Sequence, residues 1–399
     1  MLNSKKSELA KINKKIPQLL QKYNLCNNCL ARQFLSDRKK ILSIKTNSEC
    51  YLCNNIFSNT KQLIEKAITL AKNLEFRTFL VGTQVPREML TREEAVWDYN
   101  GIENTESIKT ELNRLNGRIL EKKLKKKVDF ANYDLLILLD FINNNVKVQI
   151  TPIYIYGHYL KLSRELSQTK WPCDCNGKGC EKCNFKGKMY TSVEDLVGYP
   201  VIAESSGIGS KFHGAGREDV NARMLGNGRA FILEISEPKK RKLDLRKLEK
   251  TINSKHKKLI QVKNLAFCKK SHVELLKSVR LEKVYRAIAR AGRNLTKEDL
   301  AEIMKLNIIN QNTPTRVLHR RADKERMRSI KSITGRLLGK KKLELIIAAE
   351  AGTYIKELIN GDNGRTKPSV AEILNTNVAC VELDVIKIKD GFLDELMAG

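Results

Sequence analysis

Two pairs of cysteines near the start of the chain have the spacing of a metal site. The pairs are Cys26-x-x-Cys29 and Cys50-x-x-Cys53, with twenty residues between them. Two such turns can present four thiolates to one tetrahedral Zn²⁺ ion, with bonds of about 2.3 Å. Four thiolates leave no open position for water or a substrate. We therefore expect a structural zinc that holds the fold together and performs no reaction.

A second group of cysteines lies near the middle of the chain, in the string CDCNGKGCEKC that holds Cys173, Cys175, Cys180 and Cys183. Its second half is an ordinary CxxC turn, whereas the CxC half is tighter than usual. The intervening glycines allow the loop to fold back on itself. The pattern favours a second structural zinc that joins two segments, and the alternative is a loop without metal.

The third group of residues that could carry out chemistry lies in the segment 214–229, GAGREDVNARMLGNGR. Four glycines there flank Arg217, Glu218 and Asp219. Taken alone, this segment fits a charged surface turn. A carboxylate beside a cation is also what acid–base or nucleophilic chemistry needs, since the cation keeps the carboxylate ionised. The following FILEI run predicts a buried strand.

The chain lacks a recognisable loop for binding a nucleotide. No GxGxxG follows a predicted strand with a downstream acidic residue. The segment from Gly335 to Lys340 resembles a phosphate-binding loop, but it is one residue short and has no serine or threonine after the lysine. We therefore expect no nucleotide cofactor.

The elements that must position these residues alternate between helix and strand. TKQLIEKAITLAKNL predicts a helix, RTFLVGT a strand, and residues 108–126 a polar helix. The runs DLLILLDF and VKVQITPIYIYG, joined by INNN, predict a hairpin. With 399 residues the chain is long enough for two or three domains of mixed α and β structure.

The composition indicates a polyanionic partner. Lys and Arg total 74 against 45 Asp and Glu, a formal net charge of +29. Nucleic acid is the first candidate, because neutralising its phosphates releases counterions. No stretch reaches the roughly 18 apolar residues of a membrane span. The N-terminal residues form a basic amphipathic pattern without the apolar centre of a signal peptide, so we expect a cytoplasmic protein.

Several of these segments resemble one family. GREDVNARMLGNGRAFILEI resembles the active-site segment of the archaeal and eukaryotic tRNA pseudouridine synthases that act on uridines 54 and 55 of the TΨC loop. LCNNCLARQF and CYLCNNIF resemble the family's N-terminal zinc knuckles, and FLVGTQVPREMLTREE resembles its THUMP-type RNA-binding domain. TPTRVLHRRADKERMR and EAGTYIKELINGDNGRTKPSV resemble its later motifs. The resemblance covers essentially the whole chain, with the motifs in the family's order.

The resemblance implies roles for four residues. Asp219, in the GRED motif, is implied to be catalytic, as nucleophile on C1′ or as base at C2′. Tyr285, in EKVYRAIA, is implied to stack on the target base. GTYIK resembles the GTYIR motif of bacterial tRNA pseudouridine synthases, which implies that Tyr354 lines the uracil pocket and that Lys356 pairs with Asp219. Lysine is a point charge and cannot form the bidentate pair that arginine forms.

The resemblance also implies a fold and a domain order. The expected class is α+β, with a mixed, largely antiparallel sheet in the catalytic domain. The expected domains are a zinc-knuckle segment (1–57), a THUMP-like RNA-binding domain (58–183) with the second cysteine group at its end, and a pseudouridine synthase domain (190–399). Isomerisation of uridine gains and loses no atom, so no organic cofactor is expected. The expected partner is tRNA, bound by a monomer.

Two alternatives remain at this level. The chain could be a zinc-stapled RNA-binding protein without catalysis, or a THUMP-type tRNA-modifying enzyme of another chemistry. The second needs a nucleotide or methyl-donor loop, which the sequence does not show. Without the resemblance, Tyr285 fits a half-buried helix tyrosine and Tyr354 a core tyrosine at a strand–helix junction. The first alternative gains if Asp219 and Tyr354 lie far apart in the fold.

Overall fold

The chain folds into two compact units. The computed structural model describes residues 14–44, 46 and 49–391, without the side chain of Arg320. The first unit holds the described residues up to Pro152 together with Glu237–Arg241, and the second holds Ile153–Ser236 and those from Lys242 onward. The predicted amphipathic helix begins outside the described residues, and residues 14–22 are helical. No helix in the described ranges is both long enough and apolar enough to span a bilayer.

The first unit places helices around a four-stranded sheet of order β2-β1-β3-β4. Strand β1 pairs in parallel with β2 and β3, and β3 pairs antiparallel with β4. In chain order, its elements are α1 (14–22), α2 (Asn27–Ala31), α3 (Arg38–Ile41), α4 (Lys61–Ala71), β1 (Thr78–Gln84), α5 (Arg87–Asn100), α6 (Ile108–Leu124), β2 (Lys127–Val128), β3 (Leu135–Asp140) and β4 (Asn145–Ile150). The predicted helix α4, strand β1, helix α6 and hairpin β3–β4 are all present.

The described residues of the first unit form two apolar cores. One lies between α4, α6 and the sheet, where alternation along β1 buries Phe79 and Val81. The other surrounds the first cysteine group and includes Val96 of α5 and Leu112 of α6. The cysteine segment therefore shares a core with residues that follow it by more than forty positions.

The second unit is built on a ten-stranded sheet of order β10-β5-β9-β16-β11-β14-β13-β12-β15, with β8 paired to β9. Pairing is antiparallel except between β9 and β16, so the predicted mixed, largely antiparallel sheet is confirmed. In chain order, its elements are β5 (Ile153–Lys161), β6 (Trp171–Pro172), β7 (Lys188–Tyr190), α7 (Val193–Ser205), β8 (Gly209–Gly214), β9 (Ala222–Ser236), α8 (Leu245–Lys255), β10 (Ile260–Cys268), α9 (Ser271–Ser278), β11 (Lys283–Ala291), α10 (Lys297–Met304), β12 (Ile308–Gln311), β13 (Arg326–Gly339), β14 (Lys342–Ala349), α11 (Ile355–Asn360), β15 (Thr366–Lys367), α12 (Val370–Ile373) and β16 (Val378–Ile388).

Strand β9 is longer than the FILEI run predicts and changes neighbour along its length. Its first residues pair with β16, and its later residues pair with β5. Between these two stretches lies Gly226, with a φ of +63°. A Cβ atom there would lie 1.9 Å from the carbonyl oxygen of Ile386 on β16. Only glycine fits this close approach of β9 to β16. The pairing of β9 with β16 places the start of β9, and the loop before it, in the middle of the sheet.

The division at Pro152 bears on the predicted domain limits. The alternating run VKVQITPIYIYG forms two strands, β4 and β5, and β5 belongs to the large sheet of the second unit. The break falls at Thr151 and Pro152, because proline donates no hydrogen bond to a strand ladder. The limits 1–57, 58–183 and 190–399 stay a prediction.

A buried ion pair in the first unit yields a stability prediction. Arg32 donates to Glu93 and to the carbonyl oxygen of Glu106, while Glu93 also accepts from the amide of Ile108 at 2.8 Å. We expect Glu93→Ala to lower the free energy of unfolding by about 3–5 kcal/mol, because it leaves a buried guanidinium without its carboxylate. The neighbouring exposed Glu94→Ala should change it by less than about 0.5 kcal/mol. Denaturant unfolding followed by circular dichroism measures both, and equal values would contradict the expectation.

Candidate active site

The loop between β8 and β9, residues 215–221, is anchored by buried charges. Glu218 points into the protein and accepts hydrogen bonds from the Tyr159 hydroxyl at 2.9 Å and from Arg229 Nε at 3.0 Å. Arg229 also donates to the carbonyl oxygen of Ala215 at 2.8 Å. Tyr159 lies on β5 and Arg229 on β9, directly opposite each other in the ladder. Side chains from these two strands therefore fix the middle of the loop.

Lys161 anchors the next residues of the loop. Its ammonium group donates to the carbonyl oxygens of Leu166, Asp219 and Val220, each at 2.9 Å. Burial lowers the pKa of Lys161 to about 8, with partial opposition from Glu218. The side chain is therefore still largely protonated at pH 7, so it keeps three donors for three carbonyl groups. The backbone of Asp219 is held in place while its carboxylate points the other way.

The carboxylate of Asp219 lies between two cations. Oδ1 is 2.8 Å from Arg316 Nη1, and Oδ2 is 2.9 Å from Lys356 Nζ. Arg316 also donates to Glu357 at 2.7 Å, and Lys356 to Asn221 at 2.7 Å. Burial raises the pKa of Asp219, but Arg316 and Lys356 outweigh burial and lower it below its ordinary 3.8. Asp219 is therefore ionised at neutral pH.

Tyr354 lies where β14 leads into helix α11. Its backbone N–H and C=O both bond to the buried amide of Gln311, at 2.8 Å and 2.9 Å. Its hydroxyl accepts from Arg321 at 2.8 Å. The position at a strand–helix junction is the one the sequence indicates, and the side chain is half-buried and faces a cavity.

Tyr285 lies on strand β11. The interpretation of Tyr285 as a half-buried helix tyrosine, made without the resemblance, is therefore wrong about the helix. Only 8% of the residue is exposed. Burial raises its pKa to about 12, although the nearby Arg229 acts in the opposite direction. The hydroxyl is therefore protonated at neutral pH. Its ring contributes to the wall of the cavity.

All four predicted residues line one cavity of about 270 Å³, namely Asp219, Tyr285, Tyr354 and Lys356. A large separation of Asp219 and Tyr354 would favour a non-catalytic protein, but the two residues line the same cavity. Arg217, Arg229, Lys283, Arg316 and Arg321 also line this cavity. In the sequence, Arg316 and Arg321 occur in the string TPTRVLHRRADKERMR among several other basic residues and have no assigned role. The sequence analysis also gives no indication that Arg229, Tyr159 and Lys161 support the loop.

Both cysteine groups have the geometry of a tetrahedral metal site. Within each group the four sulfur atoms lie within 4.8 Å of one another. In the first group, Cys26 and Cys53 sulfurs are 3.6 Å apart. A tetrahedral zinc with bonds of about 2.3 Å requires sulfur–sulfur distances of about 3.8 Å. The residues present therefore fit a four-thiolate ion in both places.

Two family models match separate parts of the chain. Residues 154–389 match the family model described as "Pus10, C-terminal", and residues 63–140 match "Pus10 THUMP domain, archaeal". The chain belongs to the Pus10 family. The cavity and every residue that positions Asp219 fall within the first match, while the sheet β1–β3 falls within the second. The expected THUMP domain is thus confirmed.

Two relatives match over almost their whole length. One, from Methanosphaera stadtmanae, is 39% identical over 92% of this chain and 96% of its own. Another, from Methanothermobacter marburgensis, is 43% identical over 91% of this chain and 95% of its own. Both are named tRNA pseudouridine synthase Pus10.

The ion pairs of Asp219 generate a prediction about pH. A carboxyl group with a lowered pKa in the folded state adds stability above its unfolded pKa, and this stability is lost as pH falls through the folded pKa. We expect the difference in unfolding free energy between the wild type and Asp219→Asn to stay constant from pH 8 to pH 5. Below about pH 4 the wild type should lose stability relative to the variant. A difference that already changes between pH 7 and pH 5 would contradict the lowered pKa.

The first cysteine group generates a prediction about metal. We expect Cys29→Ser with Cys53→Ser to remove one zinc ion per chain and to lower the melting temperature, because these residues lie in the core of the first unit. Cys268→Ser, a lone thiol on β10, is the matched control and should keep its zinc. Elemental analysis and thermal unfolding measure both effects. An unchanged zinc content in the double variant would rule out the site.

Proposed function

We propose that this protein is a tRNA pseudouridine synthase that isomerises uridine 54, uridine 55 or both in the TΨC loop. The observation that carries the proposal is the ionised carboxylate of Asp219 in the lining of a cavity that two tyrosines also line. Membership of the Pus10 family, whose relatives carry the name tRNA pseudouridine synthase, supports the same reaction.

The reaction breaks the N1–C1′ bond of uridine, turns the uracil, and forms a C5–C1′ bond while the C5 proton is replaced by one on N1. The atoms balance without an oxidant or a donor group, so the proposal includes no organic cofactor. Asp219 serves either as nucleophile on C1′ or as base at C2′. In both roles it must be ionised, and Arg316 and Lys356 keep it so.

The cavity suits a single nucleoside that has left its stack. A volume of about 270 Å³ lies just below the range of roughly 300–1,000 Å³ typical of drug-sized ligand sites. Flipping a base costs a few kcal/mol, which contacts with aromatic rings partly recover. In this proposal Tyr285 and Tyr354 supply these contacts, and the protonated hydroxyl of Tyr285 offers a hydrogen-bond donor to the base.

The cations around the cavity suit the phosphates of the same RNA. Arg217, Arg316 and Arg321 line the cavity with part of their side chains exposed. The net charge of +29 supports wider contact with the backbone of a folded RNA. The proposal therefore takes tRNA as the partner of a monomeric, cytoplasmic protein. The proposal also includes a structural zinc ion in the first cysteine group.

The test is a direct assay for pseudouridine. Incubation with an unmodified tRNA transcript should yield pseudouridine, and transcripts with cytidine at position 54 or 55 identify the site. We expect Asp219→Asn to lower kcat by a factor on the order of 10⁴, because it removes the reacting carboxylate while keeping its size. Asp323→Asn, which changes an exposed aspartate that does not line the cavity, is the matched control and should keep its activity. Undiminished activity of Asp219→Asn would overturn the proposal.

A further inference from the structure

The second cysteine group closes a loop between two short strands. Strands β6 and β7 pair antiparallel, with Trp171 opposite Tyr190. The loop between them carries Cys173, Cys175, Cys180 and Cys183. Sulfur–sulfur distances are 3.7 Å for Cys173 and Cys180, 3.9 Å for Cys175 and Cys183, and 3.8 Å for Cys180 and Cys183. These distances agree with the roughly 3.8 Å of a tetrahedral zinc.

The backbone of the loop is arranged for a charged sulfur. The amides of Cys180 and Gly187 both donate to Cys183 Sγ at 3.3 Å, and such bonds stabilise a thiolate. Gly187 has a φ of +69°, and a Cβ there would lie 2.8 Å from the carbonyl oxygen of Gly177. The loop therefore folds back on itself, which lets the short CxC half meet the CxxC half.

The strands that carry this loop present two aromatic rings and a cation. The ring centroids of Trp171 and Tyr190 are 5.4 Å apart, and the two residues are 39% and 37% exposed. The guanidinium of Arg217 lies 5.8 Å from the centre of the Trp171 ring, within the range of a cation–π contact. We call Trp171, Tyr190 and Arg217 the aromatic platform.

The aromatic platform adjoins the cavity of Asp219. Arg217 is the link, because it lines that cavity and also lies over Trp171. A nucleic-acid strand is covalently continuous, so the nucleotide next to one held in the cavity must lie at the rim. Exposed aromatic faces beside a guanidinium are the chemistry that holds an unstacked base together with its phosphate.

We propose that the second cysteine group binds a structural zinc ion, and that the zinc-held strands present the aromatic platform to a base adjacent to the target nucleotide. The proposal rests on the proposed function only in that an RNA occupies the cavity. Stacking on the platform adds affinity for the RNA and does not take part in the bond changes at C1′. It should therefore be visible in RNA binding even where no reaction occurs.

Tryptophan fluorescence tests the platform directly, because the chain has two tryptophans. Trp97→Phe leaves Trp171 as the sole reporter, and Asp219→Asn in the same protein prevents turnover. We expect an unmodified tRNA transcript to quench the emission of Trp171, because a stacked base contacts its ring. Heparin, a polyanion without bases, should bind without quenching. Unchanged emission at RNA concentrations that saturate binding would overturn the platform.

Affinity and rate give a second, independent test. We expect Trp171→Ala to weaken binding of the tRNA transcript and raise KM about tenfold, within the range for one stacked base. The kcat at saturating RNA should stay within about twofold, and Trp171→Phe should restore most of the affinity. Phe267→Ala, which removes an exposed ring on β10, is the matched control. Wild-type affinity in Trp171→Ala would overturn the platform even if the wild type makes pseudouridine. A wild type that makes none would instead refute the proposed function and leave the binding result valid.

Elemental analysis tests the metal. The wild type should carry two zinc ions per chain, and Cys180→Ser with Cys183→Ser should carry one. That variant should also lose the quenching of Trp171 and the affinity that Trp171→Ala loses, with the melting temperature of the protein largely kept. One zinc in both the wild type and this variant would overturn the metal site. Full affinity in a variant that has lost its second zinc would overturn the link between the metal and the platform.

Discussion

The candidate active site depends on the buried carboxylate of Glu218, the residue immediately before Asp219. Glu218 is buried among Arg229, Tyr159 and Lys161, and all four side chains are almost entirely removed from water. Removing a charge from water costs several kcal/mol, and the cost is offset only while each charge keeps its partners. Because Tyr159 and Arg229 face each other across β5 and β9, a slip in register would separate them from Glu218. Because Asp219 follows Glu218 directly in the chain, its backbone is held in place too, and its side chain lines the cavity.

A second set of charges, Arg316 and Lys356, pairs with Asp219, and these ion pairs are partly exposed to solvent. Arg316 and Lys356 approach it from segments about a hundred residues and more along the chain, and 29% of the Asp219 side chain is exposed. Partly solvated ion pairs are weaker than buried ones and can exchange partners. Arg316 also keeps Glu357 as a partner. Nη1 of Arg316 contacts Asp219 while Nε contacts the buried Glu357, so the buried carboxylate has its own hydrogen bond from the same guanidinium. In the Glu218 cluster, by contrast, every partner of the carboxylate is itself buried.

The sequence predicts features that depend on residues close together in the chain, and it misses features that depend on contacts between distant segments. Local patterns predict α4, the hairpin β3–β4 and the metal geometry of the cysteines, because each depends on residues less than thirty positions apart. Asp219 stands out through its motif. Arg316 does not, because in sequence it is one arginine among several in a basic run. The alternation of β5 continues that of β4, so nothing local shows that β5 joins a different sheet. Strand order and ion pairs between distant segments depend on contacts that no window of sequence contains.

The two cysteine groups differ in what else holds them. The first lies in an apolar core with residues of α5 and α6. Within the described residues, Cys173 and Cys183 are buried but belong to none of the three apolar cores. A two-stranded ribbon alone is at best marginally stable in water, so a metal is the natural source of order for this loop. Loss of metal at the first group would disturb a whole core, whereas loss at the second would loosen only the ribbon that carries Trp171 and Tyr190. The second group is therefore the place where zinc can affect RNA binding while the large sheet, and with it Asp219, stays intact.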